Sequence, residues 1–385
     1  MKKIIPYGHQ SISKEDIKAV IKVLKSDYLT QGPTIPEFEE KLAEYVGARY
    51  AVVFNSGTAA LNSAYFAAGL KKGDEFITTP NTFIATANAG VYLGAKPIFV
   101  DIEKETGNID CSKIEPKISK QTKLIVPLHY GGHPVDLEKI KQLATKYKLH
   151  VVEDACHALG AKFKRNKIGS CKYSDMAVFS FHPVKHITTG EGGAVTTNNK
   201  KFYNKLLMFR THGITKQNFQ NESDGEWYYE MQFLGFNYRL TDFQAALGIS
   251  QLKRINQFIK KRREIAQVYN QAFNNNPYFE VITEKVYAFS AYHLFSILLK
   301  DSYISKKRQI FSKLRENRLG VQTHYIPVYL QPYYQNLGYQ RGLCPQAKDF
   351  YQREISIPIF PSMTKKQINY VVKTIFRTFK TINPL

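Results

Sequence analysis

Residues 49–70 read R-Y-A-V-V-F-N-S-G-T-A-A-L-N-S-A-Y-F-A-A-G-L. The apolar, β-branched run at the front has the length of a buried strand. The alanine-rich stretch behind it, closed by Gly69, has the composition of a helix. The same unit then recurs. E-F-I-T-T-P (75–80) reads as a strand, T-F-I-A-T-A-N-A-G-V-Y-L-G (82–94) as a helix and K-P-I-F-V-D-I (96–102) as another strand. T-K-L-I-V-P-L-H (122–129) and K-L-H-V-V-E-D (148–154) flank the helix D-L-E-K-I-K-Q-L-A-T-K-Y (136–147). Crossovers between parallel strands are right-handed, so this repetition predicts an α/β fold with a mostly parallel sheet and helices on both faces.

Two further strands, D-M-A-V-F-S-F (175–181) and G-G-A-V-T-T-N (192–198), stand closer together. A helical stretch from about Thr241 to Phe273 contains no strong breaker and is expected to carry the chain into a second domain. That domain mixes strands such as Y-H-L-F-S-I-L-L (292–299) with helices such as K-K-R-Q-I-F-S-K-L-R-E-N (306–317). No internal repeat or low-complexity segment interrupts the pattern.

The chain has 385 residues, 43% of them hydrophobic and 22% charged, which suits a soluble protein able to bury a large core. No apolar run approaches the roughly 18 residues needed to span a bilayer, and M-K-K-I-I-P-Y-G has no apolar segment of the secretory kind, so a cytoplasmic location and no membrane partner are expected. Cys111, Cys156, Cys171 and Cys344 stand far apart without a C-x-x-C pair, which argues against a metal site and against a disulfide framework. The net charge of +22 favours anionic partners. That charge is spread along the chain, and K-K-R-R (260–263) and K-K-R (306–308) read as solvated helix faces. With no nucleic-acid recognition motif present, a phosphate-bearing metabolite is the better match and nucleic acid is not expected.

Ligands of open α/β sheets sit where strands end and helices begin, and four such places carry suggestive residues. At N-S-G-T-A-A-L, Ser56, Gly57 and Thr58 put free N–H groups, hydroxyls and the positive end of a helix where a phosphate would fit, although S-G-T is also an ordinary helix cap. In V-V-E-D-A-C-H-A-L-G-A, Glu153 and Asp154 end an apolar strand on opposite faces, and a carboxylate there needs a cation or water. The protonated ring nitrogen of pyridoxal phosphate is one such cation; capping of the next helix explains one acid but leaves His157 unaccounted for.

S-F-H-P-V-K-H-I-T-T-G-E-G-G-A-V (180–195) holds Lys185 between flanks too apolar for the surface. A desolvated amine has a lowered pKa and becomes nucleophilic. Gly190, Gly192 and Gly193 allow close backbone approach and positive φ, and Ser180 offers a hydroxyl to a phosphate. In P-N-T-F-I-A-T-A-N, Phe83 follows a strand end and is placed either to stack on a planar ring or to fill a core. Together these form a phosphate cup, an acid for a pyridine nitrogen, an aromatic cover and a Schiff-base lysine.

The succession N-S-G-T-A-A-L, T-P-N-T-F-I-A-T-A-N, E-D-A-C-H-A-L-G-A, S-F-H-P-V-K-H-I-T-T-G-E-G-G-A and G-F-N-Y-R-L-T-D-F-Q-A-A-L-G (235–248) resembles the DegT/DnrJ/EryC family of nucleotide-sugar aminotransferases over almost the whole chain. The resemblance implies the type I aminotransferase fold, with a seven-stranded sheet in a large domain and a smaller α+β domain. It suggests an arm over residues 1–13, a large cofactor-binding domain over 14–250 and a small domain over 251–385. It also implies a homodimer with sites at the interface, and pyridoxal 5′-phosphate as cofactor, passing through pyridoxamine phosphate. Lys185 would be the catalytic Schiff-base lysine, Asp154 the partner of the pyridine nitrogen and His157 a neighbour of the phenolic oxygen. Ser56, Gly57, Thr58 and Ser180 would hold the phosphate, helped by Asn237 from the other subunit, with Phe83 over the ring. Members of the family that act as dehydratases carry histidine in place of the lysine, so lysine here favours transamination.

Within the family, P-Y-G (6–8), S-D-Y-L-T-Q-G-P (26–33) and H-Y-I-P-V-Y (324–329) are similar to the pseudaminic acid branch, which fits Tyr329 where many relatives carry histidine. That likeness implies L-glutamate as amino donor and a UDP-linked 4-keto-6-deoxy-N-acetylhexosamine as acceptor. Tyr7, Asp27, Tyr28, Leu29, Thr30, His324 and Tyr325 would contact the sugar nucleotide. A D-configured UDP-4-keto sugar, a GDP-linked sugar, a 3-keto sugar and a non-catalytic cofactor-binding regulator are the competing readings.

Overall fold

Tyr50–Phe54 and Gly57–Ala67 form the strand and helix expected of the opening stretch. The computed structural model describes residues 3–382, so Met1, Lys2 and the last three residues lie outside the described residues. Seven strands make one sheet, in the spatial order Tyr50–Phe54, Gly193–Thr197, Met176–Ser180, His150–Asp154, Thr122–Val126, Glu75–Thr78 and Lys96–Phe99. Every neighbouring pair is parallel except those of Gly193–Thr197, which runs antiparallel to both its neighbours. The connection from Phe181 to Gly192 contains no helix to cover a face of the sheet, and its strand returns in the opposite sense.

Side chains alternate across the sheet, and both faces are covered. Val52, Phe54, Val152 and Val178 pack with Leu61 and Tyr65 on one side, while Val53, Val151 and Phe179 pack with Phe38 and Leu42 on the other. This is why the strands read as continuous apolar runs rather than alternating ones. The outer edge of Tyr50–Phe54 is closed by side chains: Glu39 accepts the Val53 N–H at 2.9 Å, and Arg210 donates to the Val53 carbonyl at 2.7 Å. A capped edge offers no template for a foreign strand.

A second, antiparallel sheet joins Phe279–Val281, Phe295–Leu299 and Glu354–Ile357. Tyr269, Phe273, Leu314, Val371 and Ile375 pack with it, and so does Ile5 from the N-terminal segment, which pairs with Leu319. A further apolar cluster bridges the two sheets' surroundings, bringing Phe99, Leu128 and Tyr130 against Val328, Tyr329 and Phe350. The Val328 N–H reaches the Pro80 carbonyl at 3.0 Å, so the segment around His324 is laid against the ends of the parallel strands. No described helix is long and apolar enough to cross a membrane.

Two readings of the sequence need correction. The stretch from Thr241 to Phe273 is two helices, Asp242–Leu252 and Ile255–Phe273, and the break falls at Lys253–Arg254 without glycine or proline. The cause is tertiary: Arg254 turns to pair with the fully buried Asp16 and to donate to the Ser11 carbonyl at 2.9 Å. The run K-K-R-R is not a solvated face throughout, since Arg262 is fully buried and donates to the carbonyls of Tyr292, His293 and Ile359. Burial lowers its pKa to about 10. In K-K-R, Lys307 is likewise partly buried, donates to the Tyr351 carbonyl and is pushed down to about 8 by desolvation.

Candidate active site

The carboxyl ends of Tyr50–Phe54, Glu75–Thr78, His150–Asp154 and Met176–Ser180 and the start of Gly193–Thr197 all open on one cavity of about 500 Å³. At its first corner Ser56 caps the helix Gly57–Ala67, its hydroxyl accepting the Ala59 N–H at 3.1 Å. The cap borders the cavity: Ser56, Gly57 and Thr58 all line it. A Cβ on Gly57 would stand 3.0 Å from Cβ of Ser180, and one on Gly193 would stand 2.5 Å from the Ser56 carbonyl oxygen. Of the three glycines after Lys185, only Gly190 has positive φ, while Gly192 and Gly193 are required by close approach.

The two acids that end strand His150–Asp154 part company. Glu153 turns into the core, where it meets Nε2 of His129 at 2.8 Å and the Ser174 hydroxyl. Asp154 faces the cavity, accepting from the Thr86 hydroxyl at 2.6 Å and the Cys156 N–H at 3.1 Å. It is buried and no described ion pair includes it; its hydrogen-bond donors are neutral, and the charge that acts on it across the cavity is that of Lys185. Lys185 lies in the same cavity, partly exposed to it. Desolvation lowers its pKa, opposed by Cys156 and Asp154.

His157 is buried at the cavity wall, and Nε2 lies 3.0 Å from the Tyr325 hydroxyl. Its Nδ1 is buried without a partner. Desolvation first, then the Lys185 charge, pushes its pKa well below the ordinary imidazole value, so the ring is neutral. Tyr325 belongs to a second wall with His324 and Tyr7, the rings of Tyr7 and His324 standing 5.2 Å apart. Phe83 lies at the mouth, 56% exposed, 6.3 Å from the Tyr325 ring.

Some expected site residues lie elsewhere. Asn237 is exposed and absent from its own chain's cavity, with its carbonyl beside Asn55. Asp27, Tyr28, Leu29 and Thr30 are exposed too, anchored on the start of Asp242–Leu252 through the Asp242 N–H to the Leu29 carbonyl at 2.9 Å. Tyr329 is fully buried and donates to the Cys344 carbonyl at 2.9 Å, so it serves packing rather than the cavity.

Sequence reasoning did not single out His293, whose ring stands 4.4 Å from that of His157 and which lines the cavity. A histidine at the head of the apolar run L-F-S-I-L-L is the signal that would have found it.

Comparison with known proteins agrees with this geometry. The sequence profile of the DegT/DnrJ/EryC1/StrS aminotransferase family matches residues 10–376. The UDP-4-amino-4,6-dideoxy-N-acetyl-β-L-altrosamine transaminase of Campylobacter jejuni is 42% identical over 382 residues, covering 98% of each chain. The structure of Helicobacter pylori PseC, an aminotransferase involved in the biosynthesis of pseudaminic acid, superposes with a TM-score of 0.93 at 37% identity, over 99% of this chain and all of that one. Bacillus subtilis NtdA with bound cofactor PMP gives a TM-score of 0.85 at 30% identity, over 96% of this chain and 83% of that one. On a match that runs nearly end to end, the chain belongs to the DegT/DnrJ/EryC1/StrS aminotransferase family.

Proposed function

We propose that this chain is a pyridoxal-phosphate-dependent aminotransferase that moves an amino group from L-glutamate to C4 of UDP-2-acetamido-2,6-dideoxy-β-L-arabino-hexos-4-ulose. The product is UDP-4-amino-4,6-dideoxy-N-acetyl-β-L-altrosamine, a step of pseudaminic acid biosynthesis. The observation that carries this reading is the meeting of Lys185, Asp154 and the Gly57–Ser180 cradle in one cavity.

The residues suit the cofactor. A buried carboxylate that faces the cavity and is in no described ion pair, Asp154, matches a charged pyridine nitrogen. Gly57 leaves beside Ser180 the space that a Cβ would take, next to a helix N-terminus suited to a phosphate. The unpartnered Nδ1 of His157 offers polar contact to a ring substituent, and Phe83 stands where it would cover the ring.

Bound there, the cofactor supplies the electron sink that makes the donor's α-proton removable. Lys185 does the proton work, helped by a pKa below that of a surface lysine. Its Nζ would take the proton from the α-carbon of glutamate; the amino group would stay with the cofactor while water supplies the keto oxygen of the departing 2-oxoglutarate, and in the second half-reaction Nζ would deliver a proton to C4 of the sugar as the keto oxygen leaves as water. The second wall, Tyr7, His324 and Tyr325, lines the same cavity and would face the sugar nucleotide.

A homodimer completes the site in this reading. Trp227, Met231 and Leu234 are each more than 60% exposed, an apolar surface that a second copy would cover. Asn237 and the segment 27–30 are exposed as well, and a partner's cavity is where they would act. Sedimentation should therefore give twice the chain mass of 44.2 kDa.

The test is incubation of the loaded enzyme with glutamate and a panel of nucleotide keto-sugars, with NMR of the product. Amination of the L-arabino-configured UDP sugar at C4 is expected. Preference for the D-configured or a GDP-linked sugar would replace the substrate, and no amination of any sugar would sink the enzymatic reading.

A further inference from the structure

Glu354 opens the strand Glu354–Ile357, fully buried, and no described ion pair includes it. Its Oε2 accepts the backbone N–H of His324 at 2.8 Å, and its Oε1 accepts the hydroxyls of Ser356 and of Ser296, the latter at 2.8 Å. The Ser356 oxygen also lies 2.8 Å from Nδ1 of His324. On the other side, the Tyr130 hydroxyl donates to the His324 carbonyl at 2.7 Å. The amide, the carbonyl and one ring nitrogen of His324 are thus all held.

A hydroxyl has one proton to donate, and an ionised carboxylate only accepts. With Glu354 ionised, Ser356 donates to it, and the Ser356 oxygen must receive its hydrogen bond from His324. The hydrogen therefore sits on Nδ1, and Nε2 presents a bare lone pair. With Glu354 protonated, the order reverses: the carboxyl donates to Ser356, Ser356 donates to Nδ1, and Nε2 carries the hydrogen. Among the described residues none hydrogen-bonds Nε2, and His324 lines the cavity beside Tyr7.

We propose that ionised Glu354, acting through Ser356, fixes the His324 tautomer so that Nε2 accepts a hydrogen bond from a hydroxyl or amide N–H of the sugar nucleotide, and that protonation of Glu354 reverses it. Glu354 is then a positioning residue for the acceptor substrate, an inference that rests on the nucleotide-sugar reading above. Burial pushes Glu354 up to about 7 against the pull of Ser356, His324, Ser296 and Lys307, so both states lie within the working range. His324 stays uncharged, since burial and then Lys185 push it down to about 3. The other titratable groups facing this cluster are Tyr7, Tyr130 and Tyr325, all raised by burial, Lys307, pushed down to about 8, and Lys185 across the cavity, lowered by desolvation.

Glu354→Gln separates the charge from the shape. The amide oxygen still accepts the His324 N–H, but the amide NH₂ now donates to Ser356, which traps the Nε2–H tautomer at every pH. Ring-¹⁵N-labelled histidine in the apoenzyme reads the tautomer directly, with His324→Gln assigning the signal. The parent should show Nδ1–H above about pH 8 and Nε2–H below about pH 6, and E354Q should show Nε2–H throughout. In the loaded enzyme, E354Q should lose about tenfold or more in kcat/KM for the keto-sugar, mainly through KM, while the glutamate half-reaction moves less than about threefold.

Nε2–H in the parent above about pH 8, or Nδ1–H in E354Q, overturns the proposal. A switched tautomer with unchanged kinetics toward the sugar overturns its substrate role. If E354Q does not fold, Ser356→Ala cuts the same relay: it should release the parent's pH-dependent switch, and a switch that persists is equally fatal. A parent that aminates no sugar nucleotide sinks the functional reading, while the apoenzyme spectra still decide this one.

Discussion

The two walls of the cavity are built by different means. The wall of Ser56, Asp154, Ser180 and Lys185 hangs from strand ends whose positions are set by register, Gly193 pairing with both Phe54 and Ser180. The wall of Tyr7, His324 and Tyr325 is held by side chains from separate segments: Glu354, Ser356 and Tyr130 around His324, and Asn81, whose side-chain oxygen takes the Tyr325 N–H at 3.3 Å. Register is a property of a whole sheet and survives a local change. A side-chain network does not, so chemistry that must be invariant fits the first wall, and recognition that can be tuned fits the second.

The largest test of that division is Lys185→Arg. The guanidinium keeps the charge and most of the bulk, but it neither forms an imine nor gives up a proton near neutral pH. Turnover in a coupled glutamate-dependent assay should fall by about 10⁴-fold or more, the upper range for a general base. The melting temperature should hardly move. A variant that still aminated a sugar would remove Lys185 from the reaction and leave the first wall without its central group.

Next in size is the pH dependence of stability created by Glu354. Burial raises its pKa from an ordinary 4.5 to about 7, so the folded state holds a proton there that the unfolded chain has released. Its contribution is therefore most favourable below about 4.5, declines as pH rises, and is lost above about 7, a swing of roughly 3 kcal/mol. Glu354→Gln has no charge to bury. Its melting temperature should match the parent's near pH 5 and exceed it by a few degrees near pH 8.5. A parallel pH dependence in both proteins would mean that the carboxyl is not the titrating group.

The same contrast explains what could be read in advance. Strand ends announce themselves, because an acid or lysine close to an apolar run, such as Asp154 at the end of V-V-E-D or Lys185 between M-A-V-F-S-F and G-G-A-V, has few places to go besides a helix cap or a ligand site. The seven strands were legible as apolar runs, although the edge strand Lys96–Phe99 leaves Lys96 exposed and Ile98 half-buried on one face. The second wall was named through resemblance, and nothing local marked Glu354: in R-E-I-S-I-P it alternates with isoleucines like any strand residue facing solvent. It is buried because Ser296 and His324, both distant in sequence, supply its donors. Arg262 in K-K-R-R and the helix break at Arg254 escaped for a related cause, since their partners are carbonyls and an acid contributed by remote segments.

A smaller effect is expected at Asp154→Asn. The amide keeps the shape and the contact with Thr86 but no longer matches a charged ring nitrogen. Losing a charge-assisted hydrogen bond of about 2 kcal/mol should weaken cofactor binding about thirtyfold, measured by titrating the apoenzyme and following absorbance. In the apoenzyme the Lys185 pKa should fall further, because the carboxylate that opposes its desolvation has been removed. Unchanged cofactor affinity would take Asp154 out of the cofactor's reach.

The smallest effect joins the walls. Tyr325→Phe removes only the hydroxyl that lies 3.0 Å from Nε2 of His157, and it keeps the ring beside Phe83. One neutral hydrogen bond is worth about 1 kcal/mol, so kcat/KM should fall about fivefold. Among the described residues the buried His157 Nδ1 has no partner, so losing the Tyr325 hydroxyl removes the ring's one protein hydrogen bond and leaves it held only by its contact with the cofactor. That looseness should appear in kcat for glutamate as well as for the sugar, whereas Glu354→Gln touches the sugar alone. Combining the two variants decides whether the second wall acts as a unit. His324 and Tyr325 are adjacent, so a shared network predicts a double-variant loss smaller than the sum of the two. Strict additivity would mean that Tyr325 reports only to His157 and the first wall, and that the boundary between the walls runs between residues 324 and 325.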